Sequence, residues 1–91
     1  MVELLATINF QYRSVLEILK DADQFGVYVK YDDEIVFDHW RSYPGVIAIM
    51  TIAQAIKPHL MINCMSEISI SPQANLQEML VIMHLIDELK K

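Results

Sequence analysis

The segment VIAIMTIAQAI, Val46 to Ile56, is eleven residues long and contains no charged residue. It lies between Pro44 and Pro58, and Lys57 is the first charged residue after it. Proline fits the first turn of a helix and ends a helix that reaches it. We predict a helix from about Pro44 to Lys57, with Ser42 as its N-cap. Since this helix is apolar on nearly all sides, we expect it to be central in the fold.

A membrane span is not expected, because eleven helical residues cover only about 16 Å of a roughly 30 Å hydrocarbon core.

The chain has 91 residues, which predicts a single domain over residues 1–91. Of these residues 54% are apolar, above the roughly 45–50% of ordinary usage. A domain of this size buries only about two-thirds of its surface. We therefore predict that apolar surface remains outside and is covered by a second copy of the chain.

The first 25 residues carry an apolar pattern that fits one long helix ending near Gly26. The residues that recur at helical spacing are Leu4, Leu5, Ile8, Tyr12, Val15, Leu16, Leu19 and Ala22. The alternative is a strand over residues 2–10 and a helix that starts at Ser14, which forms a capping-box pattern with Glu17.

The next two runs, VYVKY at 27–31 and EIVF at 34–37, are rich in β-branched and aromatic residues. They predict a β-hairpin with Asp32 and Asp33 in the turn, because aspartate tolerates turn geometry. EISIS at 67–71 alternates and predicts a strand, while residues 60–65 fit either a strand or a helical continuation.

The last segment predicts a helix with Ser71 as N-cap and Pro72 in its first turn. We expect the core stripe of this helix to be Leu76, Met79, Leu80, Met83 and Ile86. The apolar residues outside that stripe predict an oligomer interface at Val81, Leu85 and Leu89. The whole chain then reads α-β-β-α-β-α, a small α+β two-layer sandwich with helices on a largely antiparallel sheet.

Charge and cysteine content restrict the function. The net charge is −5, and the seven Lys and Arg residues are scattered, so a nucleic-acid partner is not expected. Cys64 is the only cysteine and can form no internal disulfide, which favours the cytoplasm. The N-terminus has Glu3 and no basic residue before Arg13, unlike a signal peptide.

No motif predicts a metal, a cofactor or catalysis. His39, His59, Cys64 and His84 are spaced 20, 5 and 20 residues apart, which matches no short zinc pair. Two glycines cannot form a glycine-rich phosphate loop. We therefore name no catalytic residue, and an enzyme is the least favoured class of protein.

The stretch FDHWRSYPG, residues 37–45, is the candidate site for a partner or ligand. Its candidate contact residues are His39, Trp40, Arg41, Tyr43, Pro44 and Gly45. Trp, Arg and Tyr are the residue types most enriched at binding hot spots. The alternative is a structural corner where Trp40 and Tyr43 cover the core and Arg41 pairs with an acid such as Asp38. We expect Trp40 to be mainly structural, with Arg41 and Tyr43 partly exposed.

Half of the twelve acidic residues fall in one part of the sequence, namely Asp21, Asp23, Asp32, Asp33, Glu34 and Asp38. If they form one surface, that surface attracts a basic partner, and in the extreme it imitates a nucleic acid. The alternative is a set of solvated turns that protect a sheet edge.

Residues 34–56, EIVFDHWRSYPGVIAIMTIAQAI, resemble the opening of a ligand-binding ACT domain: a strand, Pro-Gly-Val and a helix. This resemblance implies that Pro44, Gly45 and Val46 form a turn of the kind where such domains bind amino acids. The predicted element order is also similar to small roadblock-type scaffold proteins, which dimerise and recruit other proteins.

The leading expectation is a small cytoplasmic interaction or regulatory protein that forms a homodimer or higher oligomer and binds another protein. The alternatives are an ACT-like regulatory domain that binds a small molecule, and an acidic inhibitor that occupies a basic groove.

Overall fold

A computed structural model describes all 91 residues. The chain forms five strands and two α-helices in the order β-β-β-β-α-β-α. Their bounds are β1 Val2–Phe10, β2 Ser14–Asp21, β3 Gln24–Tyr31, β4 Glu34–Ser42, α1 Val46–Ile56, β5 Met65–Ile70 and α2 Leu76–Leu89. Two short 3-10 turns, Lys57–His59 and Ile62–Cys64, connect α1 to β5.

The strands form one sheet in the order β4-β3-β2-β1-β5, and every neighbouring pair is antiparallel. The first four strands are a run of hairpins, and α1 then carries the chain across to the opposite edge. A single core joins the sheet to both helices, with Ile8, Leu16 and Val27 from the strands and Ile52 and Leu85 from the helices. Strands β4 and β5 are the two free edges of the sheet.

The predicted order α-β-β-α-β-α is wrong, because the expected N-terminal helix is the β1–β2 hairpin. Its apolar residues fit a helix, but they also alternate: Ile8, Leu16 and Ile18 are buried on one face of the sheet. Gly26, the expected helix cap, lies inside β3.

The turn that makes this hairpin has no glycine or proline to mark it. It is Gln11–Arg13, and Tyr12 and Arg13 adopt positive φ angles of 66° and 65°. Bulky residues are uncommon in this left-handed region, so the local sequence does not predict a turn here.

The hairpin predicted across Asp32 and Asp33 is present, with Tyr31 paired to Glu34. Both aspartates have positive φ, 52° and 67°, which is the pattern of a type I′ turn. The strands are longer than expected, and β4 extends through Ser42. The strand predicted at 67–71 is also present, as β5.

The helix predicted from Pro44 to Lys57 is present as α1, but Gly45 rather than Ser42 is its N-cap. Its expected central position is wrong. One side of α1 meets the sheet, with Ile49, Ile52 and Ile56 buried, while the side chain of Ile47 is 80% exposed. Neither helix of the fold is long and apolar enough to cross a bilayer.

Helix α2 begins after Asn75, not at Ser71, and its two faces are the reverse of the expected ones. Val81, Leu85 and Leu89, predicted at an oligomer interface, are buried in the core. Four residues of the predicted core stripe are exposed instead, Leu76, Met79, Leu80 and Met83, and only Ile86 is buried as predicted. Apolar content alone favoured the wrong face because the buried face also carries the charged residues Glu78 and Glu88.

Candidate functional site

The two helices lie side by side with their N-terminal ends together. Near the N-terminal ends, the Tyr43 hydroxyl just before α1 donates a hydrogen bond to Glu78 in α2, 2.8 Å away. Near the C-terminal ends, Lys57 Nζ donates to the Lys91 carbonyl oxygen at 3.2 Å. The helices therefore form one layer with a common outer side.

This outer side, the helix-layer face, is largely apolar, although the exposed residues Gln54 and Asp87 lie on the same helical stripes. It comprises Val46, Ile47, Met50, Leu76, Met79, Leu80 and Met83, all exposed. Ile47 and Leu76 are the most exposed of them, at 80% and 73%. Helix α1 contributes no charge to this face. A monomer rarely exposes this many large apolar side chains on one side, and such faces mark interaction sites.

A buried ion pair joins α2 to the sheet. Glu78 is 1% exposed, and its Oε2 atom lies 2.9 Å from Lys20 Nζ in β2. Its Oε1 atom accepts the Asn75 N–H, while Asn75 Oδ1 accepts the Glu78 N–H, which completes a capping box. Burial opposes ionisation of Glu78, but the Asn75 N–H, the Lys20 ammonium and the Tyr43 hydroxyl outweigh it and lower its pKa.

The same contacts raise the pKa of Lys20, chiefly through its hydrogen bond to Glu78. Burial, with the Glu78 hydrogen bond second, raises the pKa of Tyr43. Each shift therefore favours the form that the group already has at neutral pH, unlike the shifts that prepare an acid or base for catalysis. None of the three side chains lines a cavity. We assign this cluster a structural role.

Strand alternation divides the predicted FDHWRSYPG site between the two faces of the sheet. Phe37, His39 and Arg41 pair with Val29, Val27 and Phe25, which belong to the core face. Trp40 pairs with Gly26 on the opposite, helix-free face. The six predicted contact residues therefore do not converge on one site.

His39 and Arg41 line a cleft between β4 and α1. This β4–α1 cleft has a volume of ≈ 80 Å³, and its walls are Phe37, His39, Arg41, Thr51, Ile52 and Ala55. His39 Nε2 and Arg41 Nε are shielded from solvent and have no hydrogen-bond partner in the protein. Arg41 forms no ion pair with Asp38 or with any other acid. An unpaired cation beside a cleft is suited to bind an anion.

The remaining residues of the stretch have local structural contacts. Trp40 is half-buried, lies edge-on to Tyr28 and donates from Nε1 to the Tyr28 hydroxyl at 3.3 Å. Tyr43 is partly exposed and packs on the core. Pro44 is buried and Gly45 is exposed. No cavity is lined by Pro44, Gly45 or Val46, the turn that the ACT resemblance singles out.

The six predicted acidic residues do not share one surface. Asp21 and Asp23 lie at the β2–β3 turn, while Asp32, Asp33 and Glu34 lie at the β3–β4 turn. These turns are at opposite ends of β3, about 24 Å apart for an eight-residue strand. Asp38 is in the middle of β4, and Asp32 is paired with Arg13 at 2.9 Å.

The structure contains no group of three His, Cys, Asp or Glu residues placed to hold a metal ion. Cys64 is partly exposed and free. No family model matches this chain, and neither a curated protein nor a solved structure matches it. Function is therefore inferred from the geometry of this molecule.

Sequence reasoning missed the helix-layer face and the Lys20–Glu78 pair. The signal for the pair was present as Asn75-x-x-Glu78, a capping box that places the start of α2 four residues later than Ser71 does. With that start, Glu78 in the first turn faces the sheet.

Proposed function

We propose that this protein is an interaction protein that works as a homodimer, with the helix-layer face as the dimer interface. The observation that carries the proposal is that seven large apolar side chains are exposed on that face, three of them on a helix without a single charge. A second copy supplies the same apolar face, so that a two-fold contact is complementary to itself.

The size of the molecule supports this assignment. Its Cα atoms extend over 31 × 26 × 21 Å, so the broad side that carries the helices is comparable in size to the roughly 800 Å² per partner that a standard interface buries. The exposed methionines Met50, Met79 and Met83 are flexible and polarisable, which helps two apolar faces fit together.

In the proposed dimer, the edge strands and the helix-free face of the sheet remain free for a different protein. We place this function in the cytoplasm, as expected for a chain whose single cysteine forms no disulfide.

Sedimentation equilibrium over a concentration series tests the proposal. Leu80→Glu places a charge on the helix-layer face, where the side chain is 60% exposed, and should weaken the dimer without unfolding the monomer. The matched control is Ile35→Glu, since Ile35 is 51% exposed but lies in β4 outside that face. The expected result is a wild-type dimer at tens of micromolar, weakened by about tenfold or more in Leu80→Glu and unchanged in Ile35→Glu. A wild type that stays monomeric, or equal effects of both variants, contradicts the proposal.

A further inference from the structure

We propose that the β4–α1 cleft is a carboxylate-binding site in which Arg41 and His39 hold one carboxylate group. This site is separate from the dimer interface, and it does not depend on dimerisation. The ligand chemistry is a carboxylate, which either a free organic acid or the acidic side chain of an extended peptide can supply.

Arg41 differs from Arg13, Lys20 and Lys30 in having no acidic partner. Arg13 pairs with Asp32, Lys20 with Glu78 and Lys30 with Glu17, at 2.9 Å in each case. Arg41 has no acid within 4 Å, although the chain contains twelve acids, and its Nε atom is shielded from solvent. The Arg41 side chain as a whole is only partly buried, but its shielded Nε–H lacks a partner, and a ligand with a negatively charged oxygen would supply one.

The second polar group of the cleft lies two residues away on the same face of β4. His39 Nε2 is also shielded and has no partner. Side chains at i and i+2 of a strand point to the same side, so the imidazole and the guanidinium border the same space. An arginine guanidinium matches the planar geometry of a carboxylate, and an imidazole N–H can donate to one of its oxygens.

The size of the cleft restricts what enters it. A volume of ≈ 80 Å³ holds a few water molecules or a carboxylate-sized group, since one water needs about 10–15 Å³ of such space. Of the other walls, Phe37, Ile52 and Ala55 are apolar, and the Thr51 hydroxyl already donates to the Ile47 carbonyl oxygen. The space beside the polar pair therefore suits a methylene group next to the carboxylate.

The backbone of a peptide ligand can lie along the outer edge of β4. This strand is nine residues long and pairs only with β3, so its outer edge presents unpaired backbone groups. A peptide that adds to this edge places alternate side chains on the helix side, above the β4–α1 cleft.

NMR spectroscopy of the full chain tests the site. The signals to follow are the Arg41 Nε–Hε pair and the His39 ring. The first probe is sodium acetate at constant ionic strength, with sodium chloride and neutral acetamide as controls. The second probe is the peptide Thr-Val-Glu-Val-Thr, acetylated and amidated at its ends so that glutamate is its only charge, with glutamine in the control peptide.

We expect acetate to shift both signals saturably, with a Kd in the millimolar range that is typical of so small a ligand. Arg41→Gln should weaken binding by about tenfold or more, because it removes a charge-assisted contact. Arg13→Gln removes the other arginine and should leave binding unchanged. His39→Gln gives a second, independent variant, and the dispersion of the sheet amide signals shows that each variant is folded.

The two probes separate the sources of the carboxylate. A glutamate peptide that binds at least as tightly as acetate, with no binding of the glutamine peptide, assigns the site to an extended acidic segment. Acetate binding without peptide binding assigns it to a free acid. The proposal is overturned if neither probe shifts the signals, if chloride or acetamide shifts them equally, or if folded Arg41→Gln binds like the wild type. Leu80→Glu should bind acetate normally, which keeps this test independent of the dimer.

Discussion

Lys20 Nζ in β2 lies 2.9 Å from Glu78 Oε2 in α2, and Glu78 is almost completely buried. The same oxygen accepts a hydrogen bond from Tyr43, which precedes α1. One carboxylate therefore connects the middle of the sheet, the start of α1 and the first turn of α2. Because no cavity reaches it, its role is to fix the start of α2 over the sheet.

The first prediction concerns pH. The pKa of Glu78 is lower in the folded protein, so its stabilising effect is present above about pH 4.5, the ordinary pKa of a glutamate, and is lost as the pH falls through the lower, folded pKa. The pKa of Lys20 is raised, so its effect is present below its ordinary 10.5 and is lost as the pH rises through the folded pKa. Glu78→Gln should reduce the free energy of unfolding by about 1–3 kcal/mol near neutral pH.

Urea unfolding from pH 7 to pH 3 measures this effect. The difference in free energy of unfolding between the wild type and Glu78→Gln should shrink as the pH falls below 4.5. The control is Glu67→Gln, because Glu67 is exposed in β5 and forms no ion pair. A difference that stays constant over this range would mean that the charge of Glu78 does not stabilise the fold.

The second prediction separates the two faces of α2. Leu85 is 1% exposed in the core, so Leu85→Ala should cost about 2–5 kcal/mol of unfolding free energy. Leu80 is exposed on the opposite face, so Leu80→Ala should stay within about 0.5 kcal/mol when measured on the monomer at low concentration. Equal losses in the two variants would contradict the orientation of the helix.

The sequence correctly predicted the helices and strands whose residue pattern fits only one type of secondary structure. The β3–β4 hairpin has clear strands and a turn of two aspartates, and the apolar α1 lies between two prolines. The alternative strand over residues 2–10 is present as β1, but the hairpin was missed because Ile8 and Leu16 fit a helical and a strand pattern alike. The turn at Tyr12 and Arg13 also contains no glycine. The local sequence does not distinguish a helix from a hairpin here. The strand conformation of β1 also depends on its pairing with β5, which is far away in the sequence.

The third prediction concerns the turns. Asp33 has a φ angle of 67°, a conformation that glycine adopts without steric cost. Asp33→Gly should therefore raise the free energy of unfolding by about 0.5–1 kcal/mol. The matched control is Asp23→Gly in the other two-residue turn, where Ala22 and not Asp23 has a positive φ. That control should give no gain in thermal or urea unfolding, and an equal gain would mean that the backbone angle is not the cause.

The candidate site was only partly predictable. His39 and Arg41 were named from the sequence, and the structure places both at the β4–α1 cleft. Their neighbours in the sequence face elsewhere, because β4 runs through residue 42 and alternation sends Trp40 to the other side of the sheet. An interpretation of residues 37–45 as one corner loop could not anticipate this separation.

The last prediction concerns Trp40 and Gly26, which are paired across β3 and β4 on the helix-free face. A Cβ atom added to Gly26 would lie 2.7 Å from three ring carbons of Trp40, well inside van der Waals contact. Gly26→Ala should therefore cost about 1–3 kcal/mol, as expected for overpacking. Trp40 is half-buried and outside the core, so Trp40→Ala should cost about 0.5–3 kcal/mol rather than the larger loss of a fully buried aromatic residue.

A double-mutant cycle measured by urea unfolding separates contact from backbone effects. If the ring causes the clash, Gly26→Ala should have almost no cost in the Trp40→Ala background, because the space above Gly26 is then open. The coupling energy between the two sites should reach about 1–3 kcal/mol, as for other residues in direct contact. Additive losses would mean that the chain needs Gly26 for a reason other than the ring of Trp40.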